Sequence, residues 1–419
     1  MGKRPDFESN LSRLQKKLKT GVGPDDESMD YEPRVVCELS GKALVKNFEA
    51  IRDQAKDKGV IPMIKANGYG HGLTWAAQTL SECRDVAGFG VATLEEGLKL
   101  RTELSNQMRR HRIIVFSGAT DFTEEKGRFC LAHGLTPVLS SEESWNLFDR
   151  AGFSSKLPYE LEFNTGMNRL GIPDALAPKI AKRAKEIATR AEGNKFLSGV
   201  FSHFATAEDP NHRVTRDQLE RFRAVRSVFS DLGAVQFHMA NSAAIWNQKQ
   251  IDSLSITDLI RPGISLYGVP PFPGAPEKGI QPVMRLKARI IQITRLKPGE
   301  SVGYGATYTV SGSEAQEAPV FMATLSAGYA DGLHRSLSGP GKKCENGGYV
   351  WISGKASRFA GIISMDLSSV FCGPEAKVGD WVEWLGSHID PWSQAKLAGS
   401  VPYELLTSVT DRVKRIYVD

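Results

Sequence analysis

The sequence predicts an α/β protein: a (β/α)8 TIM-type barrel followed by a second, mostly β-strand C-terminal domain. Three observations predict it. From Pro33 onward, short apolar strand-like runs alternate with stretches of helical period, the pattern of parallel strands joined by right-handed crossovers. About eight such units fall within roughly 240 residues, which suits a closed barrel better than an open sheet. The rhythm then breaks at the Pro/Gly-rich run "GVPPFPGAPEKG", and short strands follow it.

Taken in order, "RVVCEL" reads as the first strand and Gly41 to Lys56 as the helix after it. "VIPMIK", "GFGVAT", "RIIVFSG", "LTPVLSS", "PYELEFNT", "LSGVFSHF" and "VQFHMANS" read as further strands. Helix-period segments such as Leu73 to Cys83, Pro173 to Glu192 and Arg213 to Leu232 separate several of them. The expected divisions are a disordered tail over 1–32, a barrel over 33–276 and a β domain over 277–419. The last of these contains "VMRLKARIIQITRL", "APVFMATLSAGYA", "GYVWISGK", "GIISMDLSSV" and "DWVEWLG".

Composition excludes several classes. The chain has 419 residues, 41% hydrophobic and 24% charged, as an ordinary globular protein does. A formal charge of +5 is small for this length, and no aromatic-studded basic stripe appears, so no nucleic-acid partner is expected. No apolar run reaches membrane-span length. Five scattered cysteines show no ligand spacing, so they read as reduced thiols of a cytoplasmic protein with no metal site. The charged N-terminus lacks the apolar stretch of a secretory signal.

In a barrel, ligand chemistry sits at the C-terminal ends of the strands. Lys65, Arg169, His203, Asn241, Ser242 and Arg261 all fall at such ends. Taken singly, each is better read as structural; their common position is what points to one site. Lys65 is the most informative, because a lysine is costly to bury and packing alone seldom places one at the mouth of a strand. The glycine-rich "NGYGHG" beyond it lets backbone approach a ligand. In "PYELEFN", Tyr159, Leu161 and Phe163 share one face, and Glu160, Glu162 and Asn164 the other. The apolar set is expected to face the helices and the polar set the barrel interior.

"IPMIKANGYGHG", "NTGMNRLG", "SHFATAED", "MANSAA", "RPGISLYG", "VGYGATY", "AGYADGLHR" and "SMD" resemble alanine racemase, a fold-type III pyridoxal-phosphate family, in its order and over about Pro33 to Asp419. The resemblance implies pyridoxal 5'-phosphate as cofactor, L- and D-alanine as substrates, D-alanine supply for peptidoglycan, and a homodimer with shared sites. It assigns Lys65 as the lysine that condenses with the cofactor aldehyde, and as one acid/base. Tyr304, reaching a partner subunit's barrel, is the other. A phenol serves as a base near neutrality only when hydrogen bonds and charge assist it, and His203 with a nearby cation is expected to do so. Tyr69, Ser242, Gly263 and Ile264 would bind the phosphate, with Asn241 and His203 nearby. Arg261 would face the pyridine nitrogen. Arg169, with the partner's Met365 and Asp366, would contact substrate.

The chain also departs from the family's pattern. Ile362 stands where an arginine is common. Asp411 matches a tyrosine that narrows substrate access, and Glu208 with Arg335 matches a charged pair of the access corridor. Many relatives carry, at the position of Glu162, a lysine whose carbamate braces the arginine matching Arg169. Glu162 is expected to supply that anion directly through a hydrogen bond to Arg169. The altered gate keeps open a racemase of broader or different specificity. A fold-type III decarboxylase fits less well, because its C-terminal cysteine motif is absent.

Overall fold

A computed structural model describes residues 32–104, 110–190, 196–275, 279–313, 319–341, 344 and 346–419. The expected tail lies outside the described residues except for Glu32, and the expected division at 276/277 falls on residues that are likewise not described.

Eight short parallel strands close on themselves. They are β2 (Gly59–Val60), β3 (Phe89–Val91), β4 (Ile113–Val115), β5 (Thr136–Leu139), β6 (Tyr159–Asn164), β8 (Leu197–Phe201), β9 (Gln236–Asn241) and β10 (Leu259–Arg261). The two-residue β7 (Ile172–Pro173) pairs with β6 alone. The order runs β2-β10-β9-β8-β6-β5-β4-β3. Parallel bridges Val60–Val86 and Met63–Gly90 join the last strand to the first, so no edge is left open. Helices such as Leu94–Glu103, Glu124–His133, Glu142–Arg150, Ala177–Arg190 and Arg213–Phe229 follow successive strands. Thr93, Thr123 and Ser141 each cap a helix by accepting a backbone N–H, and acidic residues fill the first turn behind them. The predicted barrel is therefore present.

One strand of the reading is misplaced. "RVVCEL" supplies β1 (Val35–Ser40), which is not a barrel strand. It lies between β11 (Met284–Leu296), antiparallel, and β19 (Lys414–Val418), parallel. The eighth barrel strand is instead β10, only three residues of "LIR", too short for any periodicity to show. The second sheet runs β16 (Lys355–Arg358), β15 (Tyr349–Ile352), β18 (Trp381–Leu385), β11, β1, β19. β11 also pairs β14 (Val320–Leu325), which pairs β17 (Ser368–Cys372). A small ribbon of β12 (Ser301–Val302) and β13 (Tyr308–Thr309) stands apart. Among the described residues no helix is long and apolar enough to cross a membrane.

β6 shows the alternation in full. Tyr159, Leu161 and Phe163 are buried against the helices, where Tyr159 stacks on Trp145 and Phe163 meets Phe229 edge-on. Glu160 and Glu162 are buried on the inner face.

Candidate active site

The C-terminal ends of the barrel strands open into a cavity of about 740 Å³, a size that suits a cofactor or small molecule. Lys65, Tyr69, Arg169, His203, Asn241, Ser242, Arg261, Gly263 and Ile264 line it, as does Glu162. The residues predicted at separate strand ends thus converge on one space.

Lys65 leads into a left-handed turn. φ is 53° at Ala66, 53° at Asn67, 62° at Gly68 and 52° at Tyr69. Glycine adopts this freely and asparagine more readily than most, while at Ala66 and Tyr69 it costs roughly 1–2 kcal/mol each. The surroundings hold it in place. Asn67 Oδ1 accepts from the Leu73 N–H at 2.9 Å. His71 Nδ1 lies 3.0 Å from the Gly68 carbonyl and 2.9 Å from that of Tyr69, so Nδ1 carries the proton. A Cβ on Gly70 would stand 2.0 Å from the Leu406 carbonyl, so the turn docks on the helix Pro402–Thr407 with no room to spare. The Lys65 amine makes no hydrogen bond or ion pair to the described residues. Burial, and then the positive charge of Arg169, push its pKa down, and Glu96 pulls the other way.

Arg261 is almost wholly buried and held by acceptors on two strands. Its Nη1 donates to the His238 carbonyl at 3.0 Å and to His238 Nδ1. Its Nη2 donates to the Ser202 carbonyl at 2.8 Å and to His203 Nδ1 at 3.1 Å. The guanidinium lies over the Phe201 ring at 4.8 Å. Burial lowers its pKa to about 10, still well above neutrality, so it remains a cation. His238 must accept on Nδ1, which leaves Nε2–H to donate to Glu160 at 3.0 Å. Arg112 lies 3.6 Å from the same carboxylate. Burial pushes Glu160 up, but His238, Arg112 and Arg261 outweigh it and hold the carboxyl below its ordinary range. Burial keeps His238 neutral, with a pKa near 4, and takes His203 well below its ordinary value.

On the opposite wall, Ser242 Oγ accepts the Gly263 N–H at 2.9 Å, and Asn241 caps the short helix Ser242–Trp246 through the Ala244 N–H. A Cβ on Gly263 would meet Tyr69 Oη at 2.4 Å, so this cradle admits only glycine there. Tyr69 stacks on Tyr267 with centroids 4.9 Å apart.

One expectation needs correction. Glu162 makes no hydrogen bond to Arg169; it accepts from Ser140 Oγ at 2.8 Å, and Arg169 acts on it only as a nearby charge. Burial dominates and raises its pKa. The cause lies in the inner face of the barrel, which offers Glu162 a neighbouring hydroxyl on β5's end, while the exposed Arg169 sits in the loop beyond β6. Tyr304, Met365 and Asp366 do not line the cavity of their own chain. Tyr304 is 73% exposed and Met365 52%. Asp366 pairs with Arg412 at 2.6 Å. His203 therefore assists no phenol within one chain. At the gate, Glu208 lines the cavity, and Asp411 is fully exposed.

Sequence reasoning missed three residues. His238 was signalled by alternation in "VQFHMAN", which puts it on the opposite face from Phe237 and Met239. Tyr403 lines the cavity beside Glu208 from the helix Pro402–Thr407, with no motif to announce it. Glu96 accepts the N–H next to Lys65, and "TLEE" carries the Thr-x-x-Glu spacing of a capping box.

Comparison with known proteins agrees with this geometry. Residues 39–271 match the alanine racemase N-terminal domain family and residues 283–417 the C-terminal domain family. The biosynthetic alanine racemase of Pseudomonas aeruginosa is 34% identical over 389 residues, 91% of this chain and 99% of that protein. The crystal structure of alanine racemase from Streptomyces lavendulae is 29% identical, with a TM-score of 0.79 over 93% of this chain and 98% of that one. That of Bartonella henselae, with covalently bound pyridoxal phosphate, is 29% identical, with a TM-score of 0.77 over 92% of this chain and all (100%) of that one. The chain belongs to the alanine racemase family.

Proposed function

We propose that the protein is a pyridoxal-phosphate-dependent alanine racemase that works with two bases, Lys65 and the partner subunit's Tyr304. The observation that carries the reading is the Lys65 amine: it is half-buried at the barrel mouth, has no anionic partner within ion-pair distance, and its pKa is depressed chiefly by burial. Such an amine is a nucleophile toward an aldehyde and a base toward carbon.

The residues fit pyridoxal 5'-phosphate. The Ser242–Gly263 cradle closes against Tyr69 with space for no side chain, which suits close approach of a phosphate to backbone. Lys65 would hold the aldehyde carbon, and Tyr69, Ser242, Gly263 and Ile264 the phosphate. When bound, the cofactor withdraws electrons from the substrate α-carbon and makes its proton acidic. Arg261 presents a donor and remains a cation, so it orients an acceptor without delivering a proton. Arg169, exposed at the cavity rim, supplies the positive charge for a substrate carboxylate. Lys65 takes or returns the α-proton on one face, and the partner's Tyr304 does so on the other.

Exposure of Tyr304, Tyr329, Met365 and Leu367 supports a homodimer in which these groups serve a second barrel. Gly303 packs near Ile362, and Tyr329 and Ala330 hydrogen-bond Ser364 and Met365, so they belong to one surface. D-Alanine for peptidoglycan, made in the cytoplasm, is the proposed product. The test is racemisation by the purified yellow protein over a panel of L-amino acids. Turnover of alanine above all others is expected; preference for a large or basic amino acid would move the assignment to a racemase of different specificity.

A further inference from the structure

The helix that follows β3 starts unusually. Thr93 caps it, taking the Glu96 N–H at 3.2 Å. In a capping box the carboxylate three residues on returns to the N–H of the capping residue. Glu96 goes elsewhere. Its Oε2 accepts the Ala92 N–H at 2.8 Å, and its Oε1 accepts the Ala66 N–H at 2.6 Å. One carboxylate thus ties the loop after β3 to the first residue of the left-handed turn beyond Lys65. The far end of that turn is held by His71 and by the docked helix; Glu96 holds the near end.

We propose that Glu96 is a positioning residue for Lys65, fixing the backbone that directs the amine into the cavity. The inference rests on the reading of Lys65 given above. Glu96 also acts on the amine through charge. Arg169 and Arg261 face Lys65 and favour its neutral form; Glu96 favours the ammonium, and Lys65 in turn acts on His203. Backbone geometry and amine charge therefore depend on one side chain, in the βα unit next to the lysine's own.

The test measures Lys65 directly. In the full chain freed of cofactor, acetylation of Lys65 is followed against pH by mass spectrometry, and amide hydrogen exchange is followed over 66–70. In Glu96→Gln the labelling curve is expected to move to lower pH, because the negative charge that favours the ammonium is lost, and exchange is expected to quicken about tenfold. An unmoved curve in folded Glu96→Gln overturns the proposal. If that variant does not fold, Glu96→Asp decides: its shorter reach is expected to quicken exchange, and wild-type exchange overturns the proposal. Thr93→Ala removes the cap of the same helix without touching Ala66. It is expected to lower Tm with the labelling curve in place; a shift as large as that of Glu96→Gln would assign the effect to the helix and overturn the proposal. If the labelling curve moves while the pH profile of racemisation stays, Glu96 keeps its role and Lys65 loses its role as base.

Discussion

Tyr69 and Tyr304 are the same residue type in opposite circumstances. Tyr69 is buried at the barrel mouth, stacked on Tyr267 and pressed against Gly263. Tyr304 stands 73% exposed on the surface of the β domain. The barrel mouth is a finished chemical environment: its arginine has four acceptors and its glycines have no room to change. The β-domain face carries Tyr304 and Met365 exposed, outside the barrel cavity. On the function proposed above, the two regions are halves of one site, the second acting on another molecule's barrel.

The largest effect should come from the finished half. Lys65→Ala removes both the cofactor's attachment and one base, and kcat/KM should fall about 10⁴-fold or more. Borohydride reduction of the wild type should bleach its long-wave band and leave the adduct on Lys65 by peptide mapping. An adduct on another lysine would dissolve the contrast, since the barrel mouth would then not be the reacting centre.

The exposed half should fail in one direction. Tyr304→Phe should slow α-proton exchange from L-alanine by about 10²–10⁴-fold and from D-alanine far less, as expected for loss of a base on one face. Mixing Lys65→Ala with Tyr304→Phe chains should restore part of the activity, because one hybrid site then holds both bases. Subunit exchange without restoration would place both bases within one chain.

The finished half should also be acid-sensitive. His71 is wholly buried and its pKa falls from 6.5 to about 4, chiefly through burial. The unfolded chain therefore takes up the proton first as pH drops. This stability is fully present above about pH 6.5 and is lost as pH falls toward about 4. Between pH 7.5 and 5 the loss from such a histidine should be on the order of 2 kcal/mol. Denaturant titrations at the two pH values should show it, and His71→Gln should show a smaller difference between them.

Much of this division was legible in the sequence. Lys65, Ser242 and Arg261 could be read because a polar group at a strand end has few packing reasons to be there. Glu160 and Glu162 could be read because strand alternation dictates which way they point. What was not legible depends on contacts distant in sequence. β1 pairs with strands more than two hundred residues away, so its local pattern could not separate it from the barrel. The left-handed turn is hidden because Ala66 and Tyr69 disfavour that conformation, and the groups that enforce it, Leu406 and Glu96 among them, lie far away in sequence. Resemblance named Tyr304; its exposure alone in one chain would not.

The smallest effect should come from Glu162, where the interior of the barrel can be tested against its rim. A carboxylate bracing Arg169 would lose a charge-assisted bond on change to glutamine, and KM would rise. Here the carboxyl accepts from Ser140 instead, and burial favours its neutral form. Glutamine has the same shape and offers Ser140 the same carbonyl acceptor. Glu162→Gln should therefore change KM for alanine less than about threefold, within the small range expected when a satisfied hydrogen bond is kept. Stripping bicarbonate should leave the wild type unchanged, since no lysine stands there to take up carbon dioxide. Glu162→Ala differs in kind: it leaves the Ser140 hydroxyl without that partner and opens a void beside it, so thermal stability should fall more than kcat does. A tenfold rise in KM for Glu162→Gln alone would show that Arg169 swings inward to Glu162 when substrate binds, and would return the rim and the interior to a single network.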